Sequence, residues 1–194
     1  MPDTTQSQIR QRMAAQRRAM PSSTVSQCAG RFPLLIDSFG PFAEARHVAG
    51  YHAVRNEASP EQLLIQARQL DKITYLPIVC GETLRFAPID ENTPFIKGEF
   101  GIPIPDIANT ALVEAKALDL IIMPLLAFDD SGHRIGMGGG FYDKTLAGLD
   151  KDSEKPLLLG LGYEWQRVSA LPANPWDVPL HAALTETALH DFRA

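Results

Sequence analysis

The feature that most constrains the fold is a glycine-rich segment that closely follows a long apolar run. The run, residues 119–128, reads Asp-Leu-Ile-Ile-Met-Pro-Leu-Leu-Ala-Phe, and residues 134–143 read Arg-Ile-Gly-Met-Gly-Gly-Gly-Phe-Tyr-Asp. Residues 129–132 predict a turn between them, and residues 141–149 can begin a helix. Glycines let backbone N–H groups come close to a ligand, and a helix N-terminus adds unpaired donors. This order of strand, turn, loop and helix suits phosphate.

The glycine loop matches neither of two familiar phosphate-binding patterns. No Gly-Lys-Ser/Thr ends it, as a P-loop would require. The third glycine of the dinucleotide fingerprint would fall at Phe141. Because glycine richness alone also fits a flexible turn, the residues leave both a phosphate cradle and a plain turn open.

Composition indicates an ordinary soluble globular chain. Its 194 residues suit one domain with a sizeable core. No apolar run approaches the length of a membrane span, and the net charge of −5 argues against a general nucleic-acid binder. Cys28 and Cys80 lack the spacing of a disulfide framework or a zinc site, so we expect a cytoplasmic protein.

The N-terminal region is basic and helical in pattern. A helix is predicted over residues 4–19, with Thr4 or Thr5 as its cap and Pro21 after its end. An arginine-rich, acid-poor start fits either a basic face of the folded domain or an organelle transit peptide. A second helix is predicted over residues 22–38, with a kink or break at Pro33.

Strand and helix patterns alternate along the rest of the chain. Helix is predicted over 59–70 and a loop over 93–106; the predicted strands are 47–54, 72–79, 84–89, 119–128, 155–163 and 181–187. The alternation predicts a single-domain α/β fold, a mostly parallel, doubly wound sheet with helices on both faces. Ligands bind at the carboxyl ends of such strands, so the loops after residues 54, 128 and 163 should converge.

Residues 119–143 closely resemble the signature of the 5-formyltetrahydrofolate cyclo-ligase family. That signature is an apolar strand followed by Gly-x-Arg-Leu-Gly-x-Gly-Gly-Gly-Tyr-Tyr-Asp, and residues 132–143 read Gly-His-Arg-Ile-Gly-Met-Gly-Gly-Gly-Phe-Tyr-Asp. The similarity covers nearly the whole chain. Residues 9–20 resemble the family's basic opening helix, 98–102 its Gly-x-Trp-Gly-Ile segment, and 161–166 followed by Asp177 its C-terminal pattern.

The resemblance implies an activity and its partners. It implies ATP-dependent cyclisation of 5-formyltetrahydrofolate to 5,10-methenyltetrahydrofolate, with release of ADP and phosphate. The formyl oxygen would take the γ-phosphoryl group before N10 closes the ring. We expect Mg²⁺ as cofactor, no nucleic-acid or membrane partner, and a monomer. Residues 1–194 would form one cyclo-ligase domain, to whose ATP site residues 1–20 contribute.

The resemblance also assigns the ATP site residue by residue. Arg10 should reach the phosphates from the first helix, and Arg134 should both bind ATP and act catalytically by neutralising charge. The other residues expected to contact ATP are Ile135, Gly136, Met137, Gly138, Gly139, Gly140, Phe141 and Tyr142. Asp143 and Asp177 match the family's magnesium ligands, and one or two protein carboxylates are enough for that ion.

The substrate side follows from the same resemblance. Glu57 and His52 should meet the pterin, and Phe100 should form part of its wall, with Phe86 as a weaker candidate. Gly138, Gly139, Gly140, Phe141 and Tyr142 are expected to contact substrate as well as ATP. Three residues depart from the family pattern: Gln6 replaces a lysine, Phe141 a tyrosine and Phe100 a tryptophan.

Each assigned side chain also has an ordinary structural interpretation. The arginines of the first helix fit a solvated face, Asp143 a first-turn helix acid, and Asp177 a turn acid. Glu57 can pair with Arg55. Two other functions remain open: a sugar-phosphate isomerase or transferase on a similar fold, and a non-catalytic folate-binding relative.

Overall fold

Short strands build a central sheet in this computed structural model, which describes residues 5–98, 101–147, 149 and 156–193. Seven strands form the sheet in the described residues: β1 (His47–Ala49), β2 (Ile73–Cys80), β3 (Thr83–Ile89), β6 (Leu120–Pro124), β9 (Leu157–Leu161), β10 (Ala182–Leu184) and β11 (Leu189–Asp191). Two small hairpins lie outside it and pair β4 (Phe95–Lys97) with β5 (Pro103–Pro105), and β7 (Ala127–Phe128) with β8 (Arg134–Ile135).

The strand order is β11-β10-β9-β6-β1-β2-β3. The neighbours from β10 through β9, β6 and β1 to β2 are parallel, while β11 and β3 are antiparallel edge strands. From β1 the chain moves to β2 on one side, and from β6 it moves to β9 on the other. The switch point therefore lies between β1 and β6, and the predicted mostly parallel, doubly wound class is confirmed.

Helices cover both faces of the sheet, as predicted, but unequally. The described helices are α1 (Gln6–Arg18), α2 (Ser22–Ala29), α3 (Phe32–Ile36), α4 (Gly40–Glu44), α5 (Glu61–Gln69) and α6 (Phe141–Leu146). Leu120 and Ile122 of β6 pack with α3 and α5 in one core, whereas Ile121 and Met123 pack with α6 in the other. This alternation reflects the two-residue period of a strand.

The first helix lies on the β7–β8 hairpin. Ile9 and Met13 of α1 share a small core with Leu126, Ala127 and Ile135. The Thr5 side chain caps the helix by accepting a hydrogen bond from the Gln8 backbone N–H, and the Gln8 side chain accepts one from the Thr5 N–H in return. The predicted helix start is confirmed, and α1 reaches the chain segment that leads into the glycine loop.

Several predicted boundaries were wrong. The break expected in the helix over 22–38 is present, but it follows Ala29 and does not fall at Pro33, which lies in the first turn of α3, where its missing N–H costs nothing. The strand predicted over 47–54 ends at Ala49, and the 119–128 run divides into β6 and β7. Residues 93–106 contain the β4–β5 hairpin, and β11 was not predicted.

No helix in the described ranges has both the length and the apolar character needed to cross a membrane.

Candidate functional site

A cavity of about 980 Å³ opens at the carboxyl ends of the central strands. Tyr51 and His52, which follow β1, and Leu125, which follows β6, line it together with the C-terminal half of β2. This is the topological switch point, where ligands of doubly wound sheets bind. Of the three loops expected to converge, the one after β1 lines the cavity, and the segment after β9 meets it where the Tyr163 hydroxyl donates to the Asn56 carbonyl at 3.1 Å. The turn after β7, residues 129–133, does not line the cavity; the glycine loop after β8 does.

The glycine loop forms one wall of this cavity. All the residues predicted to contact ATP, from Arg134 through Tyr142 and including Arg10, line it. Gly138 and Gly140 have φ angles of +98° and +67°, which L side chains rarely adopt. A Cβ added to Gly136 would meet nothing within 4 Å. The backbone is therefore open towards the cavity, as a phosphate cradle requires.

Arg10 is fixed between the first helix and the loop. Its Nε donates to the Gly136 carbonyl at 2.9 Å, and its Nη2 donates to the Gln6 Oε1 at 2.9 Å. The Gln6 Nε2 donates in turn to the Pro172 carbonyl at 2.8 Å and lies 3.5 Å from the Asp177 Oδ2. Gln6, which replaces the family lysine, thus links the helix to Arg10 and to the 172–177 segment through neutral hydrogen bonds.

Arg134 and Asp143 form an ion pair at the edge of the loop. The Arg134 Nη2 donates to the Asp143 Oδ1 at 2.7 Å, and its Nη1 donates to the Val178 carbonyl. The Val178 N–H donates to the same Asp143 oxygen at 3.2 Å. The Arg134 side chain is 6% exposed. The guanidinium is held rigidly, and part of its charge is already neutralised by Asp143.

Two carboxylates on the cavity wall have the chemistry of magnesium ligands. The described residues hydrogen-bond to Asp143 only at Oδ1 and to Asp177 only at Oδ2, the latter through Asn174 and Gln6. One oxygen of each carboxylate is left over. No group of three or more His, Cys, Asp or Glu in the described ranges could hold a metal. A magnesium ion here would need phosphate oxygens and water, which it prefers.

The wall after β1 contains a buried acid. The Glu57 side chain is 8% exposed, and its Oε2 accepts a hydrogen bond from the Val54 N–H at 3.0 Å. Burial raises the pKa of this carboxyl, while the Val54 N–H and the charge of Arg17 act to lower it. His52 lines the same cavity but is exposed. The structure thus brings both predicted pterin contacts to the site, and buries only Glu57.

Tyr142 connects the two sides of the cavity. Its hydroxyl is buried and has no hydrogen-bond partner among the described residues. Burial raises the pKa of this phenol well above its ordinary value, and the Glu57 charge raises it further. A buried hydroxyl without a hydrogen-bond partner costs stability. Because this hydroxyl lies in a cavity wall, a ligand atom is the expected partner.

Two predicted aromatic contacts differ from the rest. Phe86 is fully buried in the core on the α6 side of the sheet, and it is not part of the cavity wall; its prediction as a pterin contact was wrong. Phe100 lies outside the described residues. Its neighbours Gly101 and Ile102, at the β4–β5 turn, do line the cavity.

One cavity residue was missed because it was assigned to a solvated helix face. The Arg17 side chain is 2% exposed, and its Nη1 lies 3.3 Å from the Glu57 Oε1. The signal was present in the sequence, since Ile9, Met13 and Arg17 follow one another at intervals of four residues. Residues with that spacing share one helix face.

Comparison with known proteins connects this site to folate chemistry. A sequence model described as the 5-formyltetrahydrofolate cyclo-ligase family matches residues 2–186. A 5-formyltetrahydrofolate cyclo-ligase of Haemophilus influenzae is 37% identical over 143 residues, which cover 71% of this chain and 74% of that protein. Its counterpart in Escherichia coli strain K12 is 29% identical over 187 residues, 95% of this chain and 100% of that protein.

Solved structures with the same fold support this comparison. The NMR structure of the Aquifex aeolicus 5,10-methenyltetrahydrofolate synthetase superposes with a TM-score of 0.84 at 25% identity, over 97% of this chain and 93% of that chain. A 5,10-methenyltetrahydrofolate synthetase of Mycoplasma pneumoniae gives a TM-score of 0.71 at 21% identity, over 93% and 98%. The second likeness concerns the fold alone.

Proposed function

This chain belongs to the 5-formyltetrahydrofolate cyclo-ligase family, and we propose that it closes 5-formyltetrahydrofolate to 5,10-methenyltetrahydrofolate at the expense of ATP. One observation carries the proposal. The open glycine loop and the buried acid Glu57 line the same cavity at the switch point of the sheet. A triphosphate and a reduced pterin can therefore meet there, as the reaction requires.

The chemistry needs an activated oxygen. A formyl group on nitrogen is amide-like and a poor electrophile. Its oxygen attacks the γ-phosphorus and ADP leaves, which turns that oxygen into part of a leaving group. N10 then attacks the formyl carbon, the C–O bond breaks, phosphate departs and N10 loses its proton. The protein supplies position and charge, which dominate catalysis of phosphoryl transfer.

The ATP end uses the loop and two arginines. Backbone N–H groups of residues 136–140 serve as donors to the phosphates, and a Cβ at Gly136 would meet nothing within 4 Å. Arg10 adds a cation from α1, and the bond from its Nε to the Gly136 carbonyl places it beside the loop. Arg134, held by Asp143 and Val178, neutralises charge on the transferring phosphoryl group through its remaining donors.

At the folate end, the main protein group is an acceptor, the Glu57 carboxylate, and not a cation. Glu57 accepts N–H groups of the pterin, and the Tyr142 hydroxyl, which lacks a protein partner in the described ranges, donates to the substrate. His52 flanks the pterin, and Phe100 completes its wall. Gly138, Gly139, Gly140 and Phe141 contact both ligands, because the formyl oxygen must reach the γ-phosphorus.

Asp143 and Asp177 would hold Mg²⁺ at the phosphates. The ion supplies charge neutralisation on the phosphate oxygens when it is bound. Asp143→Asn keeps the size of the side chain but weakens both the ion contact and the pair with Arg134. We expect this variant to need roughly tenfold more Mg²⁺ for half-maximal turnover. A magnesium titration of turnover at saturating ATP measures this requirement. Asp106→Asn, at an exposed position directly after β5, is the control. An unchanged magnesium requirement in Asp143→Asn would contradict the assignment.

We propose a cytoplasmic monomer without nucleic-acid or membrane partners, in which residues 1–194 act as one domain and residues 1–20 serve its ATP site. The spacing of the two cysteines supports the cytoplasmic location, and the net charge of −5 supports the absence of a nucleic-acid partner.

An absorbance assay tests the proposed function directly. Purified protein is mixed with 5-formyltetrahydrofolate, and formation of the methenyl product is followed in the near ultraviolet with and without ATP. We expect product only with ATP and Mg²⁺. Folate binding without ATP-dependent product would identify a non-catalytic relative, and turnover of a sugar phosphate without ATP would identify an isomerase or transferase. Either result would overturn the proposal.

A further inference from the structure

Arg17 is a buried cation on the inward face of the basic helix α1. Its side chain is 2% exposed, whereas Arg12 and Arg18 on the same helix are exposed. Ile9 and Met13 precede it at four-residue spacing, so the same face of α1 directs all three side chains inward. Arginine is almost never buried to this extent unless a partner matches its charge.

The partner is Glu57 on the cavity wall. The Arg17 Nη1 lies 3.3 Å from the Glu57 Oε1, and the Glu57 Oε2 accepts from the Val54 N–H. The same Nη1 lies 3.5 Å from the Leu125 carbonyl, and Nη2 lies 3.7 Å from the Met137 sulfur. Arg17 thus contacts the turn after β1, the end of β6 and the glycine loop at one point.

We propose that Arg17 is a positioning residue that keeps the buried Glu57 carboxylate ionised and oriented to accept N–H groups of the pterin ring. This inference deepens the proposed function and rests on it, because it takes the pterin as the ligand of Glu57. Arg17 itself acts through Glu57 and need not touch the reacting atoms.

The charge of Glu57 matters because of what the pterin offers. The edge of a pterin ring presents N–H donors. An ionised carboxylate is an acceptor only, with about two lone pairs on each oxygen, and each Glu57 oxygen has one contact among the described residues. A protonated carboxyl would present an O–H donor to these donors and lose an acceptor. Burial favours that protonated form, and Arg17 opposes it.

Few other charges can take the place of Arg17. Arg55, on the same turn, also acts to lower the pKa of Glu57, but it is exposed, so water screens its effect. Three phenols face Glu57 from the segment after β1, from α6 and from the segment after β9; burial raises the pKa of each, so they stay neutral: Tyr51, Tyr142 and Tyr163. In the described ranges, Arg17 is therefore the buried cation that faces Glu57.

The hydrogen bonding of the Arg17 guanidinium is incomplete, which a purely structural role does not explain. The Arg17 Nε is buried and has no hydrogen-bond partner among the described residues. Arg17 lines the cavity together with Glu57. An arginine kept only to anchor a helix would be expected to saturate its donors.

The test measures folate binding by calorimetry, and the KM for folate and for ATP, between about pH 5.5 and pH 8.5. At neutral pH we expect Arg17→Met to weaken folate binding roughly tenfold or more while the KM for ATP changes less than about twofold. Without Arg17 the pKa of Glu57 rises further, so the loss should shrink as pH increases and the carboxylate ionises. Arg17→Lys keeps the charge and should restore most of the affinity.

Matched variants separate this effect from a structural one. Arg46→Met removes an exposed arginine away from the cavity and should change nothing. Glu57→Gln is neutral at every pH, so its loss of folate affinity should not depend on pH. The double variant Arg17→Met/Glu57→Gln should bind folate no more weakly than Glu57→Gln alone, because Arg17 acts through the charge of Glu57.

Three results would overturn the inference: wild-type folate affinity in folded Arg17→Met, an equal loss of ATP and folate affinity, or a loss that is the same at every pH. If Arg17→Met does not fold, Arg17→Lys decides: affinity near the wild type with the wild-type pH profile supports the inference, and a large, pH-independent loss overturns it. Wild-type protein that binds folate but forms no product would overturn the proposed function and not this inference. Wild-type protein that binds no folate would overturn both.

Discussion

At the scale of single residues, the glycine loop contains positions that would respond differently to one added methyl group. Gly138 and Gly140 have positive φ angles, so any side chain there strains the backbone. A Cβ on Gly139 would lie 2.9 Å from the Phe141 ring, so the ring would have to move. Gly136 has neither obstacle, and its Cβ would enter open space. Gly136 is therefore the position at which a substitution reports on the ligand alone.

We predict that Gly136→Ala weakens ATP binding roughly tenfold, about 1.4 kcal/mol, and leaves the melting temperature unchanged. The methyl group would occupy space that the phosphates need, and nothing in the described protein needs it. Calorimetric titration with ATP and Mg²⁺ measures the loss. Gly40→Ala is the matched control, since a Cβ there also meets nothing within 4 Å and lies in α4. Wild-type ATP affinity in Gly136→Ala would show that the cradle lies elsewhere.

At the scale of elements, the end of α1 depends on one side chain from the turn after β1. The Asn56 Nδ2 donates to the carbonyls of Arg17, Arg18 and Met20 at 3.3, 3.4 and 3.1 Å. The Arg17 carbonyl also accepts from the Met20 N–H at 3.2 Å, and a helix leaves its last carbonyls short of partners. Asn56 also has a φ of +60°, which asparagine tolerates better than most residues. The contact holds the C-terminal end of α1 against the segment that follows β1.

Asn56→Ala should lower the free energy of unfolding by about 2 kcal/mol, because it removes the hydrogen bonds and strains the backbone. Asn56→Gly removes only the hydrogen bonds, so its loss should be about 1 kcal/mol smaller. Urea denaturation of both variants and the wild type gives the two contributions separately. Equal stability of the alanine variant and the wild type would mean that solvent replaces the Asn56 contacts at no cost.

A second element-scale contact ties the turn after β9 to the sheet edge. The Glu164 Oε2 accepts hydrogen bonds from His190 of β11 and from Thr185 and Thr187 at the end of β10. Burial raises the pKa of this carboxyl, but these three hydrogen bonds outweigh it and lower the pKa to about 2 from an ordinary value of 4.5.

This pKa shift predicts an acid-dependent loss of stability. A carboxyl whose pKa is lower in the folded state stabilises the protein above its unfolded pKa, and that contribution is lost as pH falls from about 4.5 towards 2. Glu164→Gln should therefore be less stable than the wild type at pH 6, and the difference should shrink as the pH falls through this window. Urea denaturation across that range tests it, with Glu91→Gln in an exposed turn as control. A difference that stays constant with pH would refute it.

At the scale of the whole molecule, the cavity joins the two halves of the sheet. The wall that contains Glu57 follows β1, which leads to β2, while the glycine loop precedes α6 and β9 on the other side of the switch point. A ligand in this cavity contacts both halves at once. Binding to the folded state alone stabilises it by mass action.

ATP with Mg²⁺ should raise the melting temperature, and a folate analogue that cannot react should raise it further when both are present. At concentrations about a hundred times each dissociation constant, either ligand adds about 2.7 kcal/mol to the stability. Differential scanning fluorimetry measures both shifts, and light scattering in the same samples tests the predicted monomer. At the same ATP concentration, the tenfold weaker binding expected for Gly136→Ala should leave about 1.4 kcal/mol of the ATP stabilisation and all of the folate stabilisation. An equal reduction of both shifts would mean that the two ligands do not bind at separate ends.

Most of the fold class could be predicted from local patterns in the sequence, whereas the residues of the candidate site were named from the resemblance to the cyclo-ligase family. Apolar runs, caps and the spacing of glycines reflect neighbouring residues, and the alternation of strands and helices implies a doubly wound sheet. The errors concern edges and partners. Residues 93–106 lack a long apolar pattern, yet they form the β4–β5 hairpin, whose pairing depends on contacts that no local pattern records. Phe86 looked available for a ligand but lies in the core.

The amino-acid sequence by itself determined the doubly wound class, the glycine-rich loop before a helix and the family to which the chain belongs, because these follow from residue types and their spacing. Only the tertiary structure decided which charges meet. Arg17 and Glu57 are 40 positions apart in the sequence, and nothing local distinguishes Arg17 from Arg18 except the helix face it occupies. Because a charge removed from water needs a partner, the buried Arg17 requires an anion, and the fold places Glu57 beside it on the cavity wall.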